Sequence, residues 1–186
     1  MPGAGRIGEE GAEAARAARA RSVVGWRILG VDPGSTCTGF GLVQGSGDDV
    51  TYLASGTILA PRGATRYQRL RGIYTGIERV IREHRPTHFA IEDVFYSKNP
   101  RSALVLGEAR GAAILAASLA EIPIFEYSAR EVKQSVTGNG AADKSQVSYM
   151  LGKILKLAQL PERADESDAI AIAMCHAFKR RDWSAK

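Results

Sequence analysis

Residues 27–59 read RILGVDPGSTCTGFGLVQGSGDDVTYLASGTIL, and the pattern of this stretch decides the fold. An apolar run, 27–31, stops at Asp32-Pro33-Gly34. A second run, 39–44, follows, and a third, 50–59, comes after the turn residues Gly45-Ser46-Gly47-Asp48-Asp49. Short segments rich in Val, Ile and Leu, punctuated by Gly, Pro, Asp and Ser, read as strands joined by turns, so a three-stranded antiparallel meander is expected here. Asp32 closes the first strand at a tight turn whose backbone amides can face a ligand. An Asp at such a turn can equally bond its own backbone.

The period changes downstream. Residues 67–83 place Leu70, Ile73, Tyr74, Ile77, Val80 and Ile81 at helical spacing, ending before Pro86. Residues 89–91 and 122–125 are short buried-strand patterns. Between them, residues 101–121 form a helix apolar on nearly every face; such a helix, buried all round, must cover more than its own core, and both a central place in the core and a subunit contact fit it. Helices over about 129–136, 143–157 and from Asp165 or Glu166 to 178 complete the chain. This order implies an α/β fold with a mixed five-stranded sheet, three antiparallel strands then parallel ones reached by helical crossovers, flanked by helices.

At 186 residues the chain fits one domain plus an extension. Residues 1–26 mix Ala, Arg, Glu and Gly with few large apolar side chains and read as a flexible N-terminal extension; 27–178 is the folded domain and 179–186 a basic C-terminal tail. The N-terminal stretch lacks the apolar core of a secretory signal, and charged residues interrupt the apolar stretches before bilayer length, so neither export nor a membrane is expected. Cys37 and Cys175 have no metal or redox spacing, which suits reduced thiols in the cytoplasm. The formal charge of +5 is compatible with a polyanionic partner.

Four carboxylates stand where apolar segments meet turns or helix starts: Asp32, Glu92, Asp165 and Asp168. Each has a plain alternative. Glu92 could be salt-bridged by Lys98 or an Arg. Asp93 competes with it, and strand alternation allows only one of the two into a common site. Asp165 and Asp168, three apart, share one side of a helical turn; Asp165 could instead be the N-cap and Asp168 a dipole-compensating acid. Three separate segments nevertheless each present an acid at an element end, as a site for a hard divalent cation such as Mg²⁺ or Mn²⁺ requires. His84 and His88 flank Pro86, which interrupts any helix carrying both, and read as surface residues. Cys175 reads as a small core residue.

The motifs Asp32-Pro33-Gly34-Ser35, Thr38-Gly39-Phe40-Gly41, Ala90-Ile91-Glu92-Asp93-Val94-Phe95 with Lys98-Asn99, Leu106-Gly107-Glu108-Ala109-Arg110-Gly111, Val132-Lys133-Gln134 and residues 165–173, in this order, resemble those of the RuvC family of crossover (Holliday) junction endodeoxyribonucleases. The resemblance covers about 27–176. It implies a ribonuclease H-like fold, a homodimer, and Mg²⁺-dependent nicking of two opposed strands of a four-way DNA junction, with two ions per subunit and Mn²⁺ as a substitute. By position it makes Asp32, Glu92, Asp165 and Asp168 the metal-binding, catalytic acids, with Lys144 assisting. Phe95, Lys98, Arg101, Arg130, Lys133 and Lys144 fall at expected DNA contacts, and the branch-migration proteins RuvA and RuvB are implied as partners. The N-terminal extension departs from the family pattern.

Other functional classes fit less of the sequence. A sugar-kinase or actin-like ATPase shares the acid-then-Gly-Ser turn but needs two related domains. A ribonuclease H-like nuclease acting on RNA or simple duplexes, and a non-catalytic junction-binding module, share parts of the pattern.

Overall fold

The computed structural model describes residues 25–47, 49–93, 99–157, 159, 161 and 163–181. Phe95, Lys98, nearly all of the N-terminal extension and most of the C-terminal tail lie outside the described residues.

Five strands, β1 (Trp26–Asp32), β2 (Cys37–Ser46), β3 (Asp49–Leu59), β4 (His88–Asp93) and β5 (Ile124–Ser128), form one sheet in the order β3-β2-β1-β4-β5. The first three pair antiparallel, while β1–β4 and β4–β5 pair parallel. The meander and the two parallel additions are therefore as the sequence implies. β5 starts two residues later than its apolar run suggested. Pro123 has no N–H to donate to a ladder, so pairing with β4 begins at Ile124, and the Pro123 carbonyl only accepts from Phe89 N at 2.9 Å.

Helices cover both faces. The α1 helix (Arg66–His84) and α2 (Pro100–Leu119) lie on one face, over Leu29, Val31, Leu42, Phe89 and Ile91; α3 (Ala129–Thr137), α4 (Lys144–Ile154) and α5 (Ala164–Arg181) lie on the other, over Ile28, Val43, Ala90 and Tyr127. Local chemistry sets their ends. Thr65 and Gln68 form a capping box at the start of α1, and the chain leaves that helix through Arg85 at φ 48°, ahead of Pro86. Ser128 with Glu131 and Asp143 with Gln146 repeat the box for α3 and α4.

Two expectations need correction. The α2 helix is not buried all round. Only Ala109, Ala113, Ala116 and Ala117 are buried, whereas Leu104, Leu115 and Leu119 are 57%, 51% and 65% exposed. The sheet and α1 can cover only one side of it. By length and composition α2 could cross a bilayer, yet Glu108 is ion-paired with Arg66 and Arg110 with Glu126, charges that a lipid span would have to bury. His88 is not a plain surface residue either. Its half-buried ring lies 5.0 Å from His176 and 5.7 Å from Phe125, because β4 starts beside the buried end of α5. Cys175 is fully buried, as expected.

Candidate active site

β1 and β4 run parallel in the register Ile28↔His88 through Val31↔Ile91, so Asp32 and Glu92 end neighbouring strands at the same edge of the sheet. Even-numbered residues of both strands, Ile28 and Ala90 among them, face α5; odd-numbered ones, Val31 and Ile91, face α1 and α2. Asp32 and Glu92 thus share the α5 face. Asp93 points the other way, 4.0 Å from the Arg110 guanidinium, which also donates to the Glu92 carbonyl oxygen at 3.1 Å and pairs with Glu126. Parity separates the two acids: of Glu92 and Asp93, only Glu92 shares the face of Asp32.

Glycines bring the second pair of acids in. A Cβ on Gly39 would lie 2.0 Å from the Asp165 carbonyl oxygen, and one on Gly30 would lie 2.2 Å from that of Ala169. With only hydrogens there, the α5 backbone rests directly on β1 and β2, and its first turns sit beside the end of β1. Asp165 is not the N-cap, because the helix already starts at Ala164 and Asp165 lies within the first turn. Its Oδ2 accepts a hydrogen bond from the Cys37 thiol at 3.1 Å. Ser55 on β3 donates to Glu166 at 2.8 Å and ties the same turn to the sheet. One turn on, Asp168 Oδ2 accepts from Lys144 Nζ at 2.6 Å, joining the start of α4 to α5. The turn after β1 is closed by Thr38, whose hydroxyl donates to the Gly34 carbonyl at 2.9 Å.

The electrostatics record how tightly the acids are gathered. Burial pushes the Asp32 carboxyl up to about 7, and the negative charges of Asp168, Glu92 and Asp165 push in the same direction against the pull of Lys144. Glu92 is raised as well, by burial first and Asp168 second, with Lys144 and Lys133 opposing. Lys144 is raised, chiefly by its hydrogen bond to Asp168, and so keeps its charge. Burial and the bond to Asp165 push the Cys37 thiol up to about 11, leaving it a neutral donor. Sequence reasoning missed both Cys37 and Arg163, a basic neighbour of that thiol. Their signal was only position, two residues before Gly39 and two before Asp165.

A family model described as crossover junction endodeoxyribonuclease RuvC matches residues 28–176. The chain belongs to the RuvC family. The RuvC of Pseudoalteromonas translucida is 53% identical over 156 residues, spanning 83% of this chain and 88% of that one. The RuvC of Pelotomaculum thermopropionicum is 44% identical over 159 residues, spanning 86% and 96%. Among solved structures, T. thermophilus RuvC in complex with a Holliday junction substrate aligns with a TM-score of 0.80 at 31% identity, covering 86% of this chain and 97% of that one. The sheet order and flanking helices described above are the RuvC version of the ribonuclease H-like fold.

Within this RuvC fold the basic residues fall in two places. Lys133 on α3 is near enough to act on both Glu92 and Asp143. Arg130, one turn before it, is exposed and packs across the backbone of Gly140. Arg101, at the start of α2, stands beside Ser35 on the opposite face of the sheet. Among the described residues no three His, Cys, Asp or Glu side chains stand as a ready-made coordination group, and Asp168 is engaged by Lys144. The donor set still fits a hard divalent cation. It offers oxygens only and is partly buried, and burial first, then the charges of Asp168, Glu92 and Asp165 against the pull of Lys144, keep Asp32 protonated to about pH 7.

Proposed function

We propose that this chain is a homodimeric endonuclease of the cytoplasm that resolves four-way DNA junctions in recombination and repair, by paired, symmetric, Mg²⁺-dependent nicks in two opposed strands. The observation that carries the reading is the gathering of Asp32, Glu92, Asp165 and Asp168 beside Lys144 at one sheet edge, in a RuvC-family chain. Residues 27–178 form the nuclease domain, with 1–26 and 179–186 as its extension and tail. RuvA and RuvB are the expected partners.

Asp32, Glu92, Asp165 and Asp168 would hold the metal. Bound there, two Mg²⁺ ions, or Mn²⁺ in their place, supply the positive charge that activates the attacking water and stabilises the departing 3′ oxygen, leaving 5′-phosphate and 3′-hydroxyl ends. Asp32 and Glu92, fixed at strand ends, set the floor of the site, and Asp165 and Asp168 close it from the helix. Cys37 holds one oxygen of Asp165, so that the other is directed by the helix turn. Lys144 keeps its proton and, released from Asp168, places its ammonium against the charge that develops on the phosphate. Phe95, Lys98, Arg101, Arg130 and Lys133 contact the DNA around the reacting phosphate.

The test is cleavage of a synthetic four-way junction, a linear duplex and an RNA–DNA hybrid, each with Mg²⁺ or EDTA, with the nicks mapped and offered to ligase. Symmetric, resealable nicks confined to the junction and to Mg²⁺ are expected. Equal cutting of the duplex or the hybrid would defeat the junction assignment. Metal binding has its own readout. Because the ion binds the folded state and not the unfolded chain, Mg²⁺ at a hundred times its Kd is expected to stabilise the fold by about 2.7 kcal/mol. A melting temperature that Mg²⁺ leaves unmoved would count against the site.

The exposed side of α2 supports the dimer. Leu104, Leu115 and Leu119 recur at helical spacing and make an exposed apolar stripe, which a second copy would cover. Leu115→Glu is expected to give a monomer by sedimentation that nicks one strand per encounter and no longer cuts in pairs. A dimer that survives this change would move the interface elsewhere.

A further inference from the structure

We infer that a cleft between the N-terminal ends of α1 and α2 is a second DNA-backbone site, in which Arg69, Arg101 and Ser35 hold a phosphate next to the scissile one; this rests on the junction-resolvase reading above. The cleft, of about 280 Å³, also borders Arg66 and Glu108. Arg66 is engaged by Glu108 across it. Among the described residues, neither Arg69 nor Arg101 has an acidic partner. Two guanidinium groups without counter-charges on the wall of one cleft form an anion site, and their planar donor forks match phosphate oxygens.

The fold adds to their charge. α1 begins at Arg66 and α2 at Pro100, so both helices direct their amino ends, with partial positive charge, toward this region. Leu70 and Val105 line the cleft between the basic groups and give an apolar surface suited to a deoxyribose. Position identifies the ligand as the same strand that reacts. Ser35 lies three residues after Asp32, so the cleft opens within roughly 10 Å of chain from the acids. Arg69 also lines a second, smaller cleft together with Gly34, Ser35 and Thr36, the segment that follows Asp32. A phosphate held here fixes the register of the strand over the sheet edge, on the face opposite α5.

The test is binding of a synthetic four-way junction to the full-length protein in EDTA across a salt series. Arg69→Gln is expected to weaken binding and to reduce the slope of log K against log salt by about 1, the signature of one lost phosphate contact. Arg69→Lys, which keeps the charge, is expected to restore the slope. Glu108→Gln, which releases Arg66, is expected to steepen it, a gain that misfolding cannot mimic. Wild-type slopes for both Arg69→Gln and Glu108→Gln would overturn the proposal, even with junction cleavage by the unaltered protein intact. An unaltered protein that binds the junction no better than a duplex would overturn the resolvase reading itself, and the proposal with it.

Discussion

Asp32→Asn is expected to reduce junction cleavage on the order of 10²–10³-fold or more while leaving junction binding intact. The side chain sits at the centre of the acidic group, and all three other carboxylates act on it. Replacing it by an isosteric amide keeps the volume and the end of β1 while removing one charge from the metal's ligands. Removing a negative charge close to phosphate is expected to tighten binding slightly at low salt. The same substitution has a stability signature that activity assays cannot imitate. Asp32 has an ordinary carboxyl value of 3.8 in the unfolded chain and about 7 in the folded one. Between those values the folded state holds more protons on Asp32 than the unfolded state does, so the contribution of Asp32 to the stability of the metal-free protein is fully present below about pH 4 and is lost as pH rises through about 7. Asp32→Asn removes this contribution. Its metal-free melting temperature is expected to exceed that of the unaltered protein at pH 7 and to vary less across the window. A variant less stable than the parent at pH 7 would show that Asp32 is held by structure, not destabilised by burial and neighbouring charge.

How much of this site could be read from the sequence depends on the range of the interaction. Strand parity is local, and it alone puts Glu92 and Asp93 on opposite faces; the Arg110 contact to Asp93 and the α5 face shared by Asp32 and Glu92 agree with it. The meander was equally legible, because turn residues and apolar runs alternate within 33 residues of chain. The contacts that join the site are long-range. Cys37 meets Asp165 across 128 residues and Lys144 meets Asp168 across 24, and neither follows from spacing. The helix start before Asp165 was misjudged because Ala164 carries no capping side chain, so nothing local marked the boundary. The surface of α2 was legible only in part. A helix apolar on all sides reveals that something covers it, but composition does not distinguish the chain's own core from a second subunit.

The glycines of the meander link fold to chemistry most directly, and Gly39→Ala is expected to show it. The added methyl would lie 2.0 Å from the Asp165 carbonyl oxygen, 2.4 Å from its carbon and 3.0 Å from its Cβ. Two of these three atoms are backbone, so no side-chain rotation relieves the clash, and the first turn of α5 must move off β2. Overpacking of this kind costs about 1–3 kcal/mol, a fall of several degrees in melting temperature for a domain of this size. The catalytic loss is expected to be larger than that cost explains. The turn that shifts carries Asp165 and leads to Asp168, and a displacement near 1 Å at a reacting centre costs about 10²-fold in rate. Gly56→Ala is the matched control. Its methyl would meet the Phe40 ring edge at 2.7 Å, on the face of the sheet away from α5, where a side chain can give way. That variant is expected to lose some stability and keep its cleavage rate at temperatures where it remains folded. Equal rates for the two variants, compared while both are fully folded, would mean that α5 need not lie flush on β2 for the acids to work. A rate lost only with Gly39→Ala would mean that the sheet's missing side chain sets the position of Asp165.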